Sequence, residues 1–148
     1  MMPGGMKDRK NAVLRLIICG FDMEFTEKIV SFLTERFDRK KTSFSSAYEW
    51  SDNMRADDAV CHFIMERNRD RREGAAYIPR GHADMMLTRD LVHAVPYLDM
   101  LRHRAYVITA GCSEEPRGDV RISREQLIGY VKGAGLRLKI MNIKPDES

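Results

Sequence analysis

Hydrophobic and polar positions fall in blocks along this chain, and the blocks switch between two periods. Ala12-Val13-Leu14-Arg15-Leu16-Ile17-Ile18-Cys19 is a nearly continuous run of Leu and β-branched residues, with the length and content of a strand buried on both faces. Gly20-Phe21-Asp22 turns it directly into a second pattern, in which Phe25, Ile29, Phe32, Leu33 and Phe37 recur at helical spacing. This predicts a helix with Asp22 as its N-cap.

The same alternation continues. Arg39-Lys40-Lys41 suits the negative end of that helix, and Thr42 to Tyr48 predicts a second strand. Glu49 to Asp57 is polar and is at most a short helix, whereas Asp58 to Met65 predicts a buried strand beside the first. Asp84 to Leu101 reads as helical through Leu87, Leu91, Ala94, Val95, Leu98 and Leu101, with Pro96 cutting or bending it. Arg104 to Ala110 is the next buried strand, and Cys112 to Gly118 is a charged turn. Ser123-Arg124-Glu125-Gln126 is a capping box ahead of Leu127, Ile128, Tyr130 and Val131, with Gly133 and Gly135 as the stop. Leu136 to Ile140 alternates strictly, as a half-buried edge strand does.

Strands and helices that take turns imply an α/β fold, a three-layer sandwich with a mainly parallel sheet of four to five strands and helices on both faces. At 148 residues one domain is expected, spanning 12–143, with tails at 1–11 and 144–148 and a long charged loop at 66–83. Composition refines this only slightly. No apolar run approaches the ~20 residues of a membrane span, and Met1 to Lys10 lacks the apolar core of a secretion signal, so a mobile tail, a cytoplasmic location and no membrane are expected. Three cysteines, Cys19, Cys61 and Cys112, suit reduced thiols better than a disulfide framework. A net charge of +3 permits phosphate contacts without demanding them, and the cations are not interleaved with aromatics, which argues against nucleic acid.

In a parallel sheet, ligands gather at the carboxyl ends of the strands. Those ends direct attention to Gly20–Glu24, Glu66–Asn68 and Thr109–Ser113. Phe21 and Asp22 stand where a dinucleotide fold needs glycines, and no Gly-Lys-Ser/Thr loop occurs. His82, His93 and His103 are spaced too far along helices to share a metal ion, so no metal or cofactor is expected. Cys61 and His62 point to opposite faces of a strand, and His62 reads as a satisfied core residue. Asp22, Glu66, Thr109 and Cys112 remain as candidate ligand-binding residues; Cys112 is placed for thiolate chemistry but lacks an assignable histidine.

From Val13 to Val131 the order of elements, the Thr109-Ala110-Gly111 ending of a strand and the helix opening Ser123-Arg124-Glu125-Gln126-Leu127 resemble the receiver domains of two-component response regulators. The resemblance implies Thr109 as the switch hydroxyl and Asp22 as one displaced member of the acidic pair that holds magnesium. Glu66 or Asn68 falls where the phospho-acceptor aspartate belongs, and no lysine stands at a fifth strand end. What the resemblance implies is a degenerate receiver without the usual aspartyl phosphate.

The function expected from these readings is a non-catalytic signalling or adaptor module that binds a protein partner. Its contact residues would be Arg69, Arg71, Arg72, Tyr77 and Ile78 of the charged loop, because Arg and Tyr are favoured interface anchors. The strand ending at Ile140 could pair across a homodimer, against which Arg137 and Lys139 would act. The alternative is a small enzyme that binds a nucleotide or phosphate ligand at the strand ends, with arginines closing over the anion.

Overall fold

Leu and β-branched runs form the centre of the molecule, as the chain's pattern requires. The computed structural model describes residues 13–37, 41–49, 59–67, 77–111, 115–117 and 120–141. Six strands build one sheet: β1 (Val13–Cys19), β2 (Ser43–Glu49), β3 (Val60–Glu66), β4 (Ala83–Thr88), β5 (Leu101–Thr109) and β8 (Arg137–Ile140). Two short strands, β6 (Glu115–Arg117) and β7 (Val120–Ile122), pair separately as a hairpin. The helices are α1 (Met23–Glu35), the single turn α2 (Leu91–Ala94) continued as 3₁₀ over Val95–Met100, and α3 (Arg124–Gly133).

The sheet order is β2-β3-β1-β4-β5-β8. The pairings β1/β4, β4/β5 and β5/β8 are parallel; β1/β3 and β2/β3 are antiparallel. The α/β class and the mainly parallel sheet therefore hold, but with six strands rather than four to five, and with β3 running against its neighbours. That direction carries the end of β3 to the opposite side of the molecule from the ends of β1, β4 and β5.

The largest departure from the predicted pattern is β4. Leu87, read as part of a helical stripe, lies on a central strand, and Leu101 opens β5. Only Leu91 to Ala94 forms α-helix, and Pro96 stands at the start of the 3₁₀ segment, where its missing N–H costs nothing.

Two apolar clusters cover the two faces. The larger holds Ile17, Met86, Leu91, Val107, Leu127 and Val131, so α2 and α3 share one face. The smaller holds Leu16, Ile18, Cys61 and Phe63, against which Ile29, Val30 and Leu33 of α1 pack. Asp22 caps α1 as expected, accepting from the Phe25 amide at 2.7 Å. The expected apolar stripe is only partly inward, however. Thr26 is buried, while Phe25, Phe32 and Phe37 are 50, 54 and 42% exposed. The capping box of α3 forms in full, with Gln126 N to Ser123 Oγ at 3.1 Å and Ser123 N to Gln126 Oε1 at 2.9 Å.

Arg104 interrupts β5 with φ +67, a left-handed conformation that side chains disfavour by about 1–2 kcal/mol. Its N–H donates to the Gly135 carbonyl at 3.0 Å and its own carbonyl accepts from Arg137 Nε at 2.9 Å, so one backbone and one side-chain hydrogen bond hold the kink. Arg104→Gly keeps both bonds and removes the strain, offset by the extra freedom glycine has when unfolded. A net gain of about 0.5–1 kcal/mol in a urea titration is the expected result; a loss would show that the Arg104 side chain contributes more than its conformation costs.

Candidate functional site

The carboxyl ends of the parallel strands form one row. Cys19 of β1 faces Thr88 of β4, which faces Thr109 of β5, and all three are buried. Each hydroxyl is engaged by its own strand's loop. The Thr88 hydroxyl donates to the Asp90 carbonyl at 3.1 Å, and the Thr109 hydroxyl to the Gly111 carbonyl at 2.7 Å. Gly20 closes over the row so tightly that a Cβ there would stand 2.8 Å from Thr88 Oγ1 and 3.1 Å from His93 Cβ.

Of the three described candidate ligand residues, Glu66 lies apart from Asp22 and Thr109. Asp22 spends an oxygen on the cap of α1, and Thr109 turns its hydroxyl into the following loop. Glu66 is a correction to the expected site: because β3 is antiparallel, Glu66 faces Val13 at the start of β1, about 20 Å of strand away from Asp22. Cys112 lies outside the described residues, as do Asn68, Arg69, Arg71, Arg72 and the expected tails at 1–11 and 144–148.

The two described thiols are poor nucleophiles. Burial pushes Cys19 up to about 12, only partly opposed by a hydrogen bond with Thr88. Burial likewise raises Cys61 to about 11, against a lowering bond with Tyr48, its cross-strand neighbour. Both thiols ionise near 9.0 when unfolded, so between pH 9 and about 11–12 the unfolded chain binds fewer protons than the folded one, and stability falls as pH rises. Urea midpoints should be flat from pH 7 to 8.5 and decline above 9, with the decline reduced in Cys19→Ala. An unchanged slope in that variant would remove Cys19 from the account.

His62 meets a Glu, but the pair is not an acid–base dyad. Its Nδ1 accepts the Ile78 amide at 3.0 Å, which leaves Nε2 to donate to Glu49 Oε1 at 2.8 Å. With both ring nitrogens occupied, no lone pair is left to take a substrate proton. Tyr77 packs edge-on against the ring at 5.2 Å and donates to the Tyr48 carbonyl at 3.3 Å. Ile78 itself is 3% exposed and belongs to the larger core cluster. It therefore corrects the expected partner-binding set: Ile78 anchors the returning chain to the sheet, and Tyr77, 56% exposed, stays on the surface.

The most distinctive surface is the open half of the sheet. On the α1 side, the cross-strand rows run Phe63-Leu16-Met85-Tyr106-Arg137 and Cys61-Ile18-Leu87-Ile108-Lys139. Helix α1 covers the β1 and β3 end of these rows. On this same face no helix packs over β5 and β8 among the described residues, leaving Tyr106 39% exposed and Ile108 half-buried. Arg137 stacks its guanidinium 4.6 Å from the Tyr106 ring centre and donates to its hydroxyl at 3.0 Å. Phe21 and Phe25 stack on each other at 5.1 Å at the start of α1, adding aromatic surface.

No family model matches the chain, and no curated protein matches it either. Among solved structures, a pyruvate oxidoreductase subunit from Thermotoga maritima is similar at 9% identity and a TM-score of 0.47. The match covers 66% of this chain and 49% of that one, so the chain spans about half the length of that subunit.

Sequence reasoning passes over the open half-sheet because Met85 and Leu87 fall in a segment whose spacing reads as helical. The signal is present in Arg104 to Ala110, where Tyr106 and Ile108 share one strand face opposite Ala105 and Val107. The engagement of His62 is not readable from sequence, since its partner Ile78 lies in a segment without periodicity.

Proposed function

We propose that the chain is a non-catalytic adaptor or signalling module that binds a protein partner across the open half of its sheet. The observation that carries this reading is the part of the row that α1 does not cover, the exposed Tyr106 and the half-buried Ile108, next to Met85 and Leu87, which pack at the margin of the smaller cluster. An apolar sheet face normally acquires a second layer. Here Arg137 and Lys139 flank it on β8, so the occupant that fits best is an amphipathic helix of a partner protein with acidic residues along one border. Tyr and Arg stacked on each other at the edge of the patch are the residue types that anchor interfaces.

Support for a non-catalytic role comes from the strand ends, where the buried Thr88 and Thr109 hydroxyls donate to the carbonyls of their own loops. Receiver-like kinship has one topological support. Strands β2, β1, β4, β5 and β8 all point the same way, and with the antiparallel β3 taken out their order is the 2-1-3-4-5 of doubly wound sheets. The buried free thiols Cys19 and Cys61 suit a reducing cytoplasm.

A photo-cross-linking residue tests the docking face. Tyr106→p-benzoylphenylalanine should yield one discrete protein adduct in cells, lost on adding Lys139→Glu, whereas the same replacement at Tyr130 of α3, itself 60% exposed, should yield none. Equal adducts from both positions would overturn the docking face. A melting screen with nucleotides, magnesium and beryllofluoride should leave the transition unmoved, because nothing in it binds the folded state. A nucleotide-dependent rise would overturn the non-catalytic reading.

A further inference from the structure

At the other end of the sheet from Asp22 and Thr109 lies a half-open cleft of about 400 Å³. It is bounded by the start of β1, the end of α1, the start of β2 and the end of β3. Its lining separates by chemistry. Leu14, Phe37 and Met65 give an apolar floor, Arg36, Lys41 and Arg67 supply three cations, and no carboxylate lines it among the described residues.

A second cleft of about 600 Å³, between the 3₁₀ segment and α3, shows what ordinary charge balance looks like here. Its Asp99 pairs with Arg80, and its Arg102 pairs with Asp84 at 2.9 Å. By contrast, Arg36, Lys41 and Arg67 enter none of the ion pairs among the described residues. The guanidinium carbon of Arg36 stands over the Phe32 ring, 4.2 Å from its centre, a cation–π contact that leaves N–H groups for other partners. Arg36 is the C-cap of α1 and so also faces its negative pole. That reason does not extend to Arg67, which arrives from β3.

We propose that this cleft binds a small amphipathic carboxylate, its apolar body seated on Leu14, Phe37 and Met65 and its acid group held among Arg36, Lys41 and Arg67. A body of roughly six to ten carbons suits a cleft of this size. Inorganic phosphate would satisfy the cations but leave the floor bare, and a neutral alcohol would cover the floor but leave the cations without a counter-charge. The site uses none of the residues of the docking face, so either assignment stands or falls without the other.

Octanoate, octanol and inorganic phosphate are the probes, titrated calorimetrically into the full chain. Saturable octanoate binding is expected, about tenfold tighter than octanol, as charge-assisted hydrogen bonds to a carboxylate provide. Phosphate should give no saturable heat at the same concentrations. Arg67 is exposed, so Arg67→Gln should weaken octanoate about tenfold while the ligand-free melting temperature is unchanged. Met65→Trp should block the floor, and Lys139→Glu should have no effect. Equal affinity for octanol, wild-type octanoate affinity in Arg67→Gln, or no saturable octanoate binding at millimolar concentration would each overturn the proposal.

Discussion

Phe63→Ala is expected to lower stability by about 3–5 kcal/mol, the range for removing a large aromatic from a core that cannot collapse around the gap. Phe63 is 1% exposed and lies within the smaller cluster, with the Phe44 ring stacked 6.0 Å away. Its strand neighbours Leu16 and Ser46 are fixed by pairing on both sides, so they have little freedom to move into the space. Because α1 packs on this cluster through Ile29, Val30 and Leu33, its amides should exchange faster in the variant than those of α3 on the opposite face. Phe32→Ala is the control: the same deletion at a residue 54% exposed should cost well under half as much. Equal losses at Phe63 and Phe32 would mean that the cluster beneath α1 is not a cooperative part of the core.

Gly20→Ala should be nearly as damaging, at about 3 kcal/mol or a fall of about 10 °C in melting temperature. Two costs combine there. Gly20 has φ +83, and its new methyl would meet Thr88 Oγ1 at 2.8 Å and His93 Cβ at 3.1 Å. Gly81 separates the two, since it has φ +82 and a Cβ added there would meet nothing within 4 Å. Gly81→Ala should therefore show the conformational cost alone, about 1–2 kcal/mol. If both variants lose the same amount, the close approach of the first turn to Thr88 is not a structural constraint.

Most of the elements are legible in the sequence because their residues favour one period. Val13 to Cys19 and Val60 to Ile64 are rich in β-branched side chains, and Ser123 to Gln126 spells a helix start that forms as written. Strand β4 is not legible for the complementary reason. Ala83-Asp84-Met85-Met86-Leu87 contains no β-branched residue, its types favour helix, and Leu87 with Leu91 happens to keep helical spacing. A place between β1 and β5 in the middle of the sheet overrides that preference.

The candidate site is less legible than the fold. Grouping Glu66 with Asp22 and Thr109 requires β3 to run parallel to β1, and an apolar run carries no mark of its direction. Ile78 stands in a charged segment that reads as exposed, yet the sheet needs one apolar residue there to close the core over His62. Phe25 and Phe32 fit the helical stripe of α1 although the inward side is the one holding Thr26, Ile29, Val30 and Leu33. The spacing of seven between the two Phe residues marks a shared face but not which way that face looks.

The antiparallel strand beside β1 also sets the order in which the molecule can assemble. Val13 faces Glu66 on one side and Cys19 faces Thr88 on the other, so the earliest of these strands to be translated gains its first neighbour only after Glu66 and its second only after Thr88. Until then its oily residues stay unshielded in the nascent chain, and such distant pairings close slowly. The interval before β4 emerges from the ribosome would thus be the moment of greatest dependence on chaperones, and shortened chains that stop before β4 should be captured by them rather than fold.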